Sequence, residues 1–272
     1  MSETATSQTS PATSLKQLEA LGEWGILAAR RTADLFYLLA NAIAGIFTFR
    51  RGAWFYLRQL TLQQIYFTAV QSVLMVAFVG AALGILTMLP LYAFRVSELD
   101  LLARVMNVVL FHQVTPLVIA LVVIGRSGTA ITAELGELQV NQTIETLITQ
   151  GIEPHQFLVL PRLFGITLSL LLLTFWANAA AVIGAGVFSM IYHEIPFAVF
   201  ALTTVEGLRS IDLLAGLSLV ILFGIIITLV HASFGFHARS SLDIPRRLPQ
   251  SFVISSALCV LMTVLVSAVL YA

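Results

Sequence analysis

Long apolar runs alternate with short polar breaks along this chain. The runs are Leu62–Tyr92, Leu101–Ile124, Leu163–Tyr192, Leu213–Phe236 and Phe252–Tyr271. A helix needs about 20 apolar residues to cross a hydrocarbon core, so each run predicts a membrane-spanning helix. The first carries Gly80, Ala81, Ala82 and Gly84, small residues that let another helix come close. Pro90 ends or kinks it. Arg95, Glu98 and Asp100 then mark a polar turn. The second run contains His112 and Pro116. His193, Glu194 and Pro196 mark a further turn, a mildly apolar stretch continues to Arg209, and His237–Arg247 reads as a polar, basic loop before the last span.

Two segments break the pattern. Before the first span, Leu15, Leu18, Leu21, Ile26, Leu35, Leu38 and Leu39 recur at near-helical spacing between Lys16, Glu19, Glu23, Arg30, Arg31 and Asp34. With Trp24, Arg50, Arg51, Trp54 and Tyr56 as anchors, residues 15–60 predict a helical segment lying in the membrane interface. Between the second and third runs, Gly125–Arg162 holds Glu134, Glu137, Glu145 and Glu153 and is too polar to span. Its apolar positions Ile131, Leu135, Leu138, Ile144, Leu147 and Ile148 fall near one helical face. Gly151 and Pro154 break it. Such a face needs a cover. Anionic inner-leaflet lipid attracts basic segments rather than acidic ones, so a protein partner is the expected one.

The chain therefore reads as an all-α integral membrane protein: a disordered tail at 1–14, the interfacial segment 15–60, and a five-span domain at 61–272 with its insert at 125–162. Composition agrees. Hydrophobic residues make up 58% of 272 and charged residues 10%, against about 25% charged in a soluble domain. The formal net charge of zero predicts no nucleic-acid partner. No basic n-region precedes an apolar h-region, which predicts no cleavable signal peptide. Cys259 stands alone in an apolar run, which fits a small buried hydrophobe, and no histidine spacing suits a metal. No internal repeat is visible.

Basic residues set orientation. With the N-terminus inside, Lys16, Arg30, Arg31, Arg50, Arg51, Arg58, Arg126, Arg162, Arg239, Arg246 and Arg247 face the cytosol. Only Arg95, Arg104 and Arg209 face out. This predicts a cytosolic insert and a C-terminus on the far side of the membrane.

The residues GRSGTAITAELGELQV and TQGIEPHQFLVLPRLF, within Pro116–Phe164, resemble the signature of the MlaE/YrbE permease family. That resemblance implies the membrane subunit of an ABC transporter in the bacterial inner membrane, moving phospholipid or a related lipid between that membrane and the outer envelope. It implies a homodimer, a cytosolic ABC ATPase bound through the insert as a coupling helix, a periplasmic ring of MCE-domain proteins, and a place for a small STAS-type accessory subunit. ATP and Mg would belong to the partner ATPase, with no cofactor in this chain. Gly125, Arg126, Gly128, Ala133, Glu134, Leu135, Gly136, Gly151, Pro154, Pro161 and Arg162 fall on matched positions. Of these, Arg126, Glu134, Leu135, Gly136, Gly151, Pro154 and Arg162, with Glu137, are the implied ATPase-coupling residues. Glu134 is the first choice for a charged contact, while positive-inside anchoring accounts for Arg126 and Arg162 as well as a specific role does.

The sequence also departs from the family pattern. His112, Gln113, Val114 and Thr115 replace an Arg-Glu-Leu-Gly, so an intramembrane carboxylate is gone. Asn141 to Thr143 replace a Thr-Glu-Gln. A lysine is absent near Leu219, and so is an aspartate in the last span. The basic SSLDIPRR stands where a glycine-rich loop is usual. The resemblance implies a lipid cavity between the two protomers, and Ile85, Leu89, Tyr92, Gln113 and Val114 are its candidate lining, Gln113 being the polar group that needs partners. Two other functions compete. Gly125-Arg126-Ser127-Gly128 matches the GxSG pattern of rhomboid proteases, with His231 as a possible base, and a non-transporting anchor for MCE proteins is the third reading.

Overall fold

The computed structural model describes residues 34, 37–38, 40–41, 53–94, 99–192, 194–208 and 210–271. The tail 1–14, nearly all of 15–52, and Arg95, Glu98, His193 and Arg209 lie outside the described residues.

Five helices are long and apolar enough to cross a membrane: Phe55–Ala93, Leu101–Val140, Pro154–Tyr192, Leu213–Phe236 and Ile244–Val269. A shorter apolar helix, Phe197–Glu206, precedes the fourth. No strand occurs among the described residues.

The first span begins at Ala53, within the segment expected to lie in the interface. Arg58, Gln59, Gln63 and Gln64 look like a boundary by hydropathy, yet all favour helix. A tightened turn at Val70–Ser72 separates this part from Val73–Ala93. Pro90 sits in the last turn, and the Phe94 amide closes the end on its carbonyl at 3.0 Å.

The second span corrects the sequence reading. It does not stop at Ile124 but runs on through the first part of the insert to Val140. Two π-helical stretches, Met106–Val114 and Ile124–Gly128, interrupt its α geometry. The first ends just before Pro116, which lacks an N–H and would clash with an ideal preceding turn. A wider turn accommodates it. The break comes at Asn141–Gln142, where Gln142 is left-handed (φ 59°). A short helix, Thr143–Thr149, and Gly151 at φ 75° complete a hairpin tip. Pro154 then opens the third helix, at a position where its missing N–H costs nothing.

That third helix has 39 residues, about 58 Å of rise, or roughly twice a hydrocarbon core. The second and third spans thus project together as a hairpin at one end of the bundle, termed the insert end. The fifth helix also starts early, at Ile244 rather than Phe252, which draws the last four residues of the expected basic loop, Ile244 to Arg247, into a helix.

The third helix is the hub. A Cβ added to Gly80 would strike the Ala177 carbonyl, one on Gly84 the Ala181 carbonyl, and one on Gly184 the Ala81 carbonyl. Paired positions rise together, so the first and third spans run parallel, backbone against backbone. Around the middle and insert end, Val76, Ile119, Ile124, Leu135, Ile166, Phe223 and Ile227 form one buried cluster. Met88, Leu102, Met106, Leu110 and Phe200 form a second at the opposite end.

Candidate functional site: an anchored hairpin and two cavities

The insert's apolar face calls for a cover, and a partner protein was the expected one. The structure supplies that cover from within the chain. Ile131, Thr132, Leu135 and Gly136 are buried, facing the fourth and fifth spans. A Cβ on Gly136 would lie 3.1 Å from Ile244 and 3.5 Å from Ala238. Leu135 and Gly136 therefore fix the hairpin to its own bundle and present no side chain to a partner. Pro154 is buried as well.

A polar knot does the same work chemically. His231, fully buried in the fourth span, meets Thr132 Oγ1 through Nδ1 at 2.8 Å and Ser255 Oγ through Nε2 at 3.2 Å. Ser251 joins at 3.2 Å from Thr132. A neutral imidazole offers one donor and one acceptor, which suits this pair of hydroxyls. Gly128 makes room: a Cβ there would stand 2.5 Å from Nε2. Second, fourth and fifth spans are joined at one point. Ser127 does not take part; its buried Oγ has no hydrogen-bond partner among the described residues, and both ring nitrogens of His231 are engaged elsewhere. The Ser127–His231 pair that the protease reading calls for is not assembled.

Two arginines tie the hairpin to its other neighbours. Arg126 donates to Ser72 Oγ at 2.5 Å and Gln71 Oε1 at 2.6 Å and lies over the Phe67 ring, gripping the first span at its tightened turn. Arg162 donates to the Leu158 carbonyl at 2.8 Å and pairs with Glu134 at 3.0 Å, bracing the hairpin's two legs. Their pair borders a groove of about 730 Å³ that also takes in Gln59, Gln63 and Phe157. Glu134 and Glu137 are exposed.

Beyond the braces, Ile144 stays buried in the main cluster with Leu147 packed against it, and other tip residues face outward. Glu145, Gly151 and Glu153 are exposed, and Ile148 and Ile152 are 57% and 36% exposed. The break at Gln142 resets the helical phase, so Ile148 leaves the face it was expected to share with Ile131 and Leu135.

The candidate cavity residues fall in two places within the single chain. Ile85, Leu89 and Tyr92 lie on the outer face of the first span, where Tyr92 meets the Phe188 ring edge-on and the Tyr192 ring at a tilt. Val114 packs on the second buried cluster, and Gln113 is half-buried. Within the chain, a cavity of about 310 Å³ opens among the second, third and fourth spans, lined by Phe111, Pro116, Thr174, Asn178, Leu213 and Leu217 among others. Thr174 Oγ1 and Asn178 Oδ1 are buried there without hydrogen-bond partners among the described residues. The lone amide at Asn178, four residues after a threonine in an apolar run, was the sequence signal for it.

Five spans, a rigidly anchored hairpin with a partly exposed tip and an apolar cavity define a polytopic membrane transport subunit. The chain belongs to the MlaE permease family: the family profile, Permease MlaE, matches residues 61–269. A probable ABC transporter permease protein of Rickettsia prowazekii is 24% identical over 206 residues, 75% of this chain and 80% of the relative. A probable ABC transporter permease protein of Synechocystis is 30% identical over 132 residues, 48% and 50% of the two chains. The intermembrane phospholipid transport system permease protein MlaE of Haemophilus influenzae is 22% identical over 222 residues, 80% and 83%. The chain is thus a permease subunit of an ABC transporter and not itself an enzyme.

Proposed function

We propose that this permease moves a phospholipid or related lipid across or out of the bacterial inner membrane, as a homodimer, driven by a cytosolic ATPase and working with periplasmic MCE-domain proteins. On this reading the insert end faces the cytosol and the C-terminus the periplasm. The observation that carries it is the tip at 141–153, rooted by the buried Ile144 and exposing Ile148 and Ile152 among polar residues, on a hairpin braced to the spans around it. An ATPase seated on the tip, and against Glu134 and Glu137 below it, would move the bundle rather than a loop. The relative named for phospholipid transport supports the substrate class, as does an apolar cavity between spans, where each buried methylene of an acyl chain contributes about 0.8 kcal/mol.

Ile148→Glu is expected to reduce recovery of the cognate ATPase with the purified permease at least tenfold while the melting temperature stays unchanged. Glu134→Lys, which sets a second cation beside Arg162, is expected to weaken the same pull-down. Undiminished ATPase recovery with both variants would reject the tip as the docking surface. Asn178→Leu should fold normally, since it removes an unsatisfied amide, yet reduce co-purifying lipid by mass spectrometry. Unchanged lipid would remove the cavity from the transport path.

A further inference from the structure

The basic segment before the fifth span has no part in the transport proposal. Arg239 and Arg247 line a cavity of about 180 Å³ at the insert end, together with Ser233 and His237 from the fourth helix and its exit. Among the described residues neither arginine forms an ion pair, and the buried Arg247 Nε has no hydrogen-bond partner. A buried guanidinium nitrogen without an acceptor is costly. Asp34, also in the lining, stands 3.7 Å from His237 and offsets at most one of the two guanidinium charges, so the cavity keeps a net positive charge.

The site's depth and floor narrow the ligand. The fourth span ends at Phe236 and the fifth begins at Ile244, so the cavity lies where the spans leave the hydrocarbon. Val230 and Ile254 give it an apolar wall on the membrane side. Arginine forks suit phosphate oxygens, and basic pockets between helices at this level suit lipid head groups. We propose that Arg239 and Arg247 form a binding site for a phosphate group, filled by an anionic bilayer lipid whose first methylenes rest on Val230 and Ile254. Free inorganic phosphate shares the chemistry and is the alternative source. The site takes from the functional reading only that these helix ends meet a membrane surface.

The test uses the full chain in nanodiscs, without ATPase or transport, so failure of the transport reading leaves it intact. Discs of phosphatidylcholine are compared with discs containing phosphatidylglycerol, and bound lipid is counted by native mass spectrometry. Phosphatidylglycerol is expected to be retained over phosphatidylcholine, and retention to fall about tenfold, or about 1.4 kcal/mol, in Arg247→Gln and in Arg239→Gln. Arg246→Gln, an exposed neighbour outside the cavity lining, is expected to behave as wild type. Arg239 is itself exposed, so its variant carries the test if Arg247→Gln folds poorly. Displacement of the lipid by millimolar inorganic phosphate, with a matching rise in melting temperature in phosphatidylcholine discs, would assign the site to the free anion. Equal loss in all three variants would mean diffuse surface charge and overturn the proposal, as would equal retention in all three.

Discussion

Gly84→Val is expected to destabilise the folded bundle by about 3 kcal/mol, at the upper end of overpacking costs. The added carbons would occupy the space of the Ala181 carbonyl. A carbonyl in a helix cannot rotate aside as a long side chain can, so the two helices must separate. Parting them loses contact along the whole first–third span seam, where Gly80 and Gly184 meet backbone in the same way. Little hydrophobic force opposes separation in lipid, since helix contact there rests on close packing. Thermal unfolding in detergent measures the loss. Gly216→Ala is the control: its added carbon would sit 3.6 Å from the Phe111 carbonyl, an ordinary contact, and it should gain up to about 1 kcal/mol from helix propensity. Equal melting temperatures for Gly84→Val and wild type would show that the seam is not closely packed.

His231→Leu is expected to cost about 2 kcal/mol and to loosen the hairpin more than the rest. Ser251 and Ser255 would keep backbone acceptors at 2.9 and 2.8 Å, so only part of the knot is orphaned. Thr132 loses its shortest contact: what remains are the carbonyl of residue 231, the Ser251 hydroxyl and the Gly128 carbonyl, at 3.1, 3.2 and 3.5 Å. Unsatisfied buried hydroxyls cost about 1–3 kcal/mol, and hydrogen bonds in membrane proteins average at the low end of such values. Limited proteolysis across residues 125–153 should accelerate severalfold, and ATPase coupling should fall with it. His231→Gln keeps a donor and an acceptor and should recover part of both. Unaltered cleavage in His231→Leu would show that packing alone holds the hairpin.

The five spans and their order were legible because lipid demands long apolar runs, and the chain's runs satisfy that demand residue by residue. The glycine seam was legible too, at Gly80 and Gly84, although its partners Ala177 and Ala181 look like any other alanines. The features that escaped the sequence lie in pairings between distant residues. Thr132 and Gly136 read as polar breaks in a helix face until His231 and Ile244, about a hundred residues on, are seen to fill them. Hydropathy also misplaced helix ends at Ala53 and Ile244, because Arg58 or Arg246 stops an apolar count without stopping a helix. On the first span the stripe of Gly80, Gly84 and Met88 faces the bundle, while that of Ile85, Leu89 and Tyr92 faces out of it.

The π-helical stretches of the second span carry a consequence for angular phase. Each wide turn delays the helix, since an α-helix advances about 100° per residue. The helix beyond Gly128 is therefore aimed by the wide turns before it. Restoring plain α geometry by removing one residue from Met106–Val114 would turn the distal helix by about a quarter of a revolution. Thr132 would swing away from His231 and Glu134 from Arg162, with every side chain unchanged. In this stretch residue count is itself a specification, and a one-residue indel there acts as a misalignment of the whole hairpin.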